Sequence, residues 1–310
     1  MITDFTGKGA FYNVRGLAFI LIFLFLFNII FYFVGVFSAG LIYHLSFFHT
    51  RDLLSKPDGS ALAINISRLV SVVSLIGYMF LPVLLFSIIN RVSLVEEGNL
   101  KSKLHWQPLY IALLVVALCI PLVDSITEMT KMIPLPKNIS YWAAKFEISR
   151  EATVSTILDM HALPELFACL FIVGLVPAFF EELMFRGAML NIFKNISQGI
   201  WKPIILQALV FGVLHFSFYQ LPGILFMGIV FGWIAIKTGT IWYGVVMHFL
   251  FNATTIVLQY LNHLHFDKTG INGRFDNLHF SPIMSIAALF GIVLLLRVLN
   301  HNLNNKISNG

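Results

Sequence analysis

Residues 178–190 read AFFEELMFRGAML. Two adjacent carboxylates, Glu181 and Glu182, and one guanidinium, Arg186, sit in a run otherwise made of Phe, Leu, Met, Ala and Gly. A charge at bilayer depth costs about 2.5–3.5 kcal/mol on insertion scales. Something must compensate for these three, or use them. The surroundings show which environment they face. The chain has 310 residues, 58% hydrophobic and 11% charged, whereas an ordinary soluble domain carries about 25% charged residues. The apolar runs are too many and too long for a soluble core. The fold class that follows is all-α: a polytopic membrane protein with about eight transmembrane helices in one bundle.

Working outward from the quoted stretch, the candidate spans are 16–42, 66–89, 108–123, 163–193, 203–218, 222–236, 241–260 and 282–299. Pro82 predicts a kink in the second. The fifth and sixth are separated by a few residues around SFYQLPG and predict a tight helical hairpin. The stretch 124–162 mixes both charge signs, and YWAAKFEISREATVSTIL (141–158) reads as an amphipathic helix on the membrane, with Tyr141 and Trp142 at the interface. The first run is longer than the about 7–15 residues of a signal h-region, so it reads as a first span and not a cleaved signal.

The net charge of +5 does not point to nucleic acid. The basic residues, Lys8, Arg91, Lys194, Lys237 and Lys306 among them, are spread over short loops, and there is no basic stripe. Their distribution favours both termini inside. Cys119 and Cys169 lie in apolar runs and read as small buried side chains. The short loops and composition fit a bacterial inner membrane.

The remaining polar groups at depth are few: Glu181, Glu182 and Arg186 on the fourth span, His215 on the fifth, His248 and Asn252 on the seventh. At about 100° per residue, Glu182 and Arg186 share a face one turn apart and can neutralise each other, while Glu181 points elsewhere. His248 and Asn252 also share a face. A desolvated Glu beside imidazoles can act as general base toward water, and His248 with Asn252 could stabilise an oxyanion. The same Glu181, His215 and His248 could instead ligate Zn²⁺, although no H-E-x-x-H is present.

EELMFRG, the F-x-x-x-H from Phe211 to His215 and the H-x-x-x-N from His248 to Asn252 occur in that order on successive spans. Together they resemble the CPBP family, the type II CAAX prenyl endopeptidases and bacteriocin-processing intramembrane proteases also called Abi proteins. TGTIWYGVVMH is typical of it too. The resemblance covers about 163–260 and divides the chain into N-terminal spans with an amphipathic linker (1–162), a catalytic core (163–260), and a loop, last span and polar tail (261–310). It implies an eight-helix bundle enclosing a polar cavity. It implies that Glu181 activates water, that His215 holds it, that His248 and Asn252 stabilise the oxyanion, and that Glu182 and Arg186 support the site. The substrate implied is a membrane-associated peptide or protein, with or without a lipid anchor, and no cofactor is needed on the metal-free reading; Zn²⁺ is the alternative.

Two other function classes compete: a non-catalytic immunity or scaffold protein of the same family, and a proton-coupled transporter. The intact polar set argues against the first, and the lack of an inverted repeat against the second. His44, His49, His105 and His161 flank span ends, and His263, His265 and His279 fall in the polar loop before the last span; all read as interfacial and not as ligands.

Overall fold

The computed structural model describes residues 11–269 and 281–308. Lys8 and His279 lie outside the described residues, as do the side chains of His265 and Lys306. Among the described residues every regular element is helical. The main helices are α1 (Val14–Ile42), α2 (Ala61–Asn90), α3 (Trp106–Lys131), α4 (Lys137–Ile157), α5 (Leu163–Ile196), α6 (Trp201–Val213), α7 (Leu221–Thr238), α8 (Trp242–Thr269) and α9 (Pro282–Ser308). Seven of them, all but α4 and α6, are long and apolar enough to cross a bilayer. The chain is an integral multi-pass membrane protein.

Several expected boundaries differ: the third span runs on to Lys131 and the last to Ser308, and two further differences bear on the site. The fifth expected span, 203–218, is the 13-residue α6. At 1.5 Å per residue it reaches about 20 Å, short of the hydrocarbon thickness of about 30 Å. His215 therefore stands in the turn after α6, where Phe216 adopts a left-handed φ of 49°. The seventh expected span runs on past Tyr260 to Thr269, so His263 is helical and not in a loop.

Two prolines account for most of the irregular helix geometry. Pro82 follows a π turn at Ile76–Phe80, and Pro177 follows one at Leu170–Leu175. Proline offers no N–H, and its ring clashes with the carbonyl four residues back. A widened turn relieves that clash without a sharp break. A third π turn, Leu183–Met189, contains no proline and carries Arg186. Pro121 lies inside α3 with no such turn.

The second half of α5 is the axis of the bundle. Residues 181–193 are all buried, as a helix apolar on every side must be. One core packs α5 against α1, α2, α6 and α8, with Ile20, Phe86, Phe185, Ile192, Phe211 and Val245 inside. A second joins α3, α7, α8 and α9. α1 turns Phe25, Phe33 and Phe37 outward, where lipid would lie. α4 is helical as the sequence predicts and shows Tyr141, Trp142, Phe146 and Ile148 outward.

The start of α8 is fixed by the loop between α2 and α3. Asn99 Nδ2 donates to the Gly239 carbonyl at 2.7 Å, Thr240 Oγ1 to the Asn99 carbonyl at 3.1 Å, and Trp242 Nε1 to the Leu100 carbonyl at 3.0 Å. Gly239 ends α7 at φ +72°, a conformation natural to glycine. The polar residues of TGTIWYG thus set where His248 begins its climb.

Beside this clamp, buried Glu97 accepts a hydrogen bond from Tyr12. Burial pushes its carboxyl above the usual range, against the opposing effect of the Tyr12 and Asn191 hydrogen bonds. The folded state therefore holds a proton that the unfolded chain releases at lower pH. Stability conferred by this group is full in acid and falls as pH rises through the raised value. Glu97→Gln, which cannot ionise, should lack that fall. Melting temperatures followed upward from mildly acidic pH should diverge between the two proteins; parallel curves would refute the assignment.

Candidate active site

The second half of α5 brings Glu181, Glu182 and Arg186 into the bundle. The spacing argument expects Glu182 to pair with Arg186, and Arg186 Nη1 stands 2.6 Å from Glu182 Oε1 with both side chains wholly buried. His248, from α8, places Nδ1 3.2 Å from the same Glu182 oxygen. The rest of the guanidinium faces rings instead of acceptors. Arg186 lies over Phe211 at 4.5 Å and Phe231 at 5.4 Å, and its Nε and Nη2 have no hydrogen-bond partner among the described residues. Cation–π attraction stabilises such a desolvated cation by about 2 kcal/mol or more.

Glu181 is differently placed. Its Oε2 is 3.8 Å from His215 Nε2 and 3.8 Å from His248 Nε2. Those separations exceed a direct hydrogen bond. Each imidazole is oriented by its other nitrogen. His215 Nδ1 is 2.7 Å from the Phe211 carbonyl, and that oxygen can only accept, so Nδ1 carries the proton. His248 Nδ1 faces a Glu182 oxygen that already accepts from Arg186, so it donates as well. Both Nε2 atoms are thereby turned to Glu181.

Asn252 is not drawn into this group. Its Nδ2 lies 3.5 Å from the carbonyl of Val173. Val173 is four residues before Pro177, which has no N–H to give that oxygen. The amide of Asn252 thus lies at the π turn that precedes Pro177.

A cavity of about 690 Å³ runs under α4, between α1, α2 and the first half of α5. Ser67, Ser71 and Ser74 give it a hydroxyl stripe, and Val173, Pro177 and Tyr78 line its inner end. Glu181 is one helical turn beyond Pro177. Glu181, His215 and His248 are not among the lining residues. α4 is held over the site by Glu147, which accepts from Ser217 Oγ at 2.9 Å in the turn that carries His215.

The fit to a metal can be judged from the donors. Among the described residues, one group of three His, Cys, Asp or Glu side chains brings its ligand atoms within 4.8 Å of one another: Asp159, His161 and His263. Glu181 Oε2 has His215 Nε2 and His248 Nε2 each at 3.8 Å, but the three do not form such a group.

Residues 163–254 match a family model described as type II CAAX prenyl endopeptidase Rce1-like. The matched segment, 92 of the 310 residues, is similar to the CAAX prenyl proteases. No curated protein and no solved structure matches the chain. The Rce1-like segment runs from the start of α5 to Thr254 on α8, and all six polar residues singled out in the sequence fall inside it. At the level of the family it is a membrane endopeptidase segment, which implies a membrane-embedded peptide substrate.

Sequence reasoning missed three residues near the Rce1-like site. Tyr78 comes from α2, outside the matched segment, and carries no local signal. Phe231 looks like any apolar helix residue. Gly244 does carry a signal, lying one turn before His248 inside the quoted motif. A Cβ there would overlap Glu182 Oε2. Gly244→Ala should push the carboxylate off Arg186 and His248 and cost about 1–3 kcal/mol, as overpacking does. A thermal-shift comparison in detergent checks this, and an unchanged melting temperature would contradict it.

Proposed function

We propose that the chain is an intramembrane endopeptidase that hydrolyses a peptide bond of a membrane-associated protein or peptide, using a water activated by Glu181. The observation that carries this reading is the placement of Glu181 Oε2 at equal distance from two imidazole Nε2 atoms. A water between them would donate one hydrogen to Glu181 and one to the unprotonated Nε2 of His215. Glu181 takes the proton as the water oxygen attacks the carbonyl carbon. The resulting oxyanion is met by His248, whose Nε2–H is available when the ring is an imidazolium held by Glu182. Asn252 joins when its amide leaves the Val173 carbonyl. Collapse of the tetrahedral intermediate breaks the C–N bond, and Glu181 returns the proton to the leaving amine. Arg186 pairs with Glu182, and Glu182 in turn orients His248.

This reading needs no metal, and a Zn²⁺ alternative would draw on the same Glu181, His215 and His248. The substrate class proposed is a transmembrane or membrane-bound peptide, with or without a lipid anchor, in a bacterial inner membrane. Membrane proteomes of strains lacking the chain, restored with it, or restored with Glu181→Gln would test the reading. The same precursor should accumulate in the deletion and in the Glu181→Gln strain. Normal processing in the Glu181→Gln strain would favour the scaffold role.

A further inference from the structure

A second polar cluster lies at the far end of α8. His263 is fifteen residues beyond His248 on one helix, about 22 Å away at 1.5 Å per residue. It meets the linker 158–162 that leads into α5. His263 Nε2 is 2.8 Å from His161 Nδ1. His161 Nε2 is 3.2 Å, and His263 Nδ1 3.8 Å, from Asp159 Oδ1. The two rings stand edge to face at 4.2 Å between centroids.

The linker is held in shape by a buried support. Arg68 of α2 donates through Nε to the Ile157 carbonyl at 3.0 Å and through Nη2 to the Asp159 carbonyl at 2.8 Å. Its Nη1 pairs with Glu165 at 3.3 Å. The other Glu165 oxygen accepts the backbone N–H of His161 at 2.7 Å and of Ala162 at 3.2 Å. Asp159 and His161 are therefore fixed by partners that engage main chain and leave their side chains to each other and to His263. A cavity of about 490 Å³ borders Asp159 and His263 and gives access from outside.

We propose that Asp159, His161 and His263 bind one first-row divalent transition-metal ion of the zinc class. Two imidazoles and one carboxylate are the donors such ions prefer, with further positions left to water. In a tetrahedral shell with bonds of 2.0–2.1 Å the ligand atoms stand about 3.3 Å apart. The three side chains already offer ligand atoms all within 4.8 Å of one another. The support from Arg68 and Glu165 is the kind of outer shell that orients ligands before the ion arrives. Glu165 neutralises Arg68, so the guanidinium does not oppose the cation. Bound there, the ion would tie the entry of the helix that carries Glu181 to the far end of the helix that carries His248. Its role is structural, and the site is separate from the proposed hydrolytic one.

The test is a Co²⁺ titration of the full-length, tag-free chain in detergent after chelator treatment, read by absorption, with Zn²⁺ as competitor and a thermal-shift series in parallel. One equivalent should bind to the wild type and equally to Glu181→Gln. His161→Ala and His263→Ala should each weaken binding about tenfold or more and abolish the metal-dependent rise in melting temperature. Their metal-free melting temperatures should match the wild type, since His161 is exposed. Absence of binding to the wild type in excess ion, wild-type affinity in both histidine variants, or loss of the ion from Glu181→Gln would each overturn the proposal.

Discussion

Glu181→Gln is expected to lower the rate of peptide cleavage by about 10²–10⁴-fold, the usual contribution of a positioned general base. The amide keeps the shape and removes the proton acceptor. Among the described residues Glu181 has no Lys or Arg partner, and two histidine Nε2 atoms stand 3.8 Å from its Oε2. Its loss should therefore leave the melting temperature unchanged or slightly raised, because a costly buried carboxylate disappears. Turnover of a membrane peptide by purified enzyme, measured beside thermal unfolding, separates the two effects. Cleavage at the wild-type rate would take Glu181 out of the reaction.

Arg186→Leu should behave in the opposite way and lose stability first. It leaves Glu182 charged in a wholly buried place, and breaking such a pair costs about 3–5 kcal/mol, less where local water reaches it. The variant also gives up the contacts with Phe211 and Phe231. Glu182→Leu combined with Arg186→Leu should regain part of the stability, since no lone charge remains. Activity should not return, because His248 then lacks the carboxylate that orients Nδ1. A melting series over wild type, both single variants and the double variant tests the coupling. If the double variant were no more stable than Arg186→Leu, the pair would not be the unit described here.

What could be read from sequence was local or periodic. Apolar runs gave the spans, and 100° per residue separated Glu181 from the Glu182 and Arg186 face. What could not be read depends on contacts across the bundle. Nothing in the chain around Tyr78 or Phe231 says that one ends in the cavity wall and the other under Arg186. His215 was expected on a helix because the apolar run continues to Phe218, yet the helix stops at Val213 and a left-handed Phe216 turns the chain. His161 and His263 each looked like an interfacial residue, and 102 residues separate them. Only packing brings them together. The π turns were half legible: Pro82 and Pro177 announce a disturbance, while Leu183–Met189 has no proline to mark it.

Pro177 and Asn252 are tied together in a way that affects how any defect at either is attributed. The proline has no N–H for the Val173 carbonyl four residues back, and the carboxamide nitrogen of Asn252 lies 3.5 Å from that oxygen. Asn252 thus answers to another helix as well as to the reaction. On the proposed mechanism a slow Asn252 variant adds two losses, an oxyanion donor and a contact with the Val173 carbonyl at membrane depth, and its rate alone cannot apportion them. Over generations the same tie makes the two positions each other's background: what a substitution at 252 is worth depends on which residue is inherited at 177.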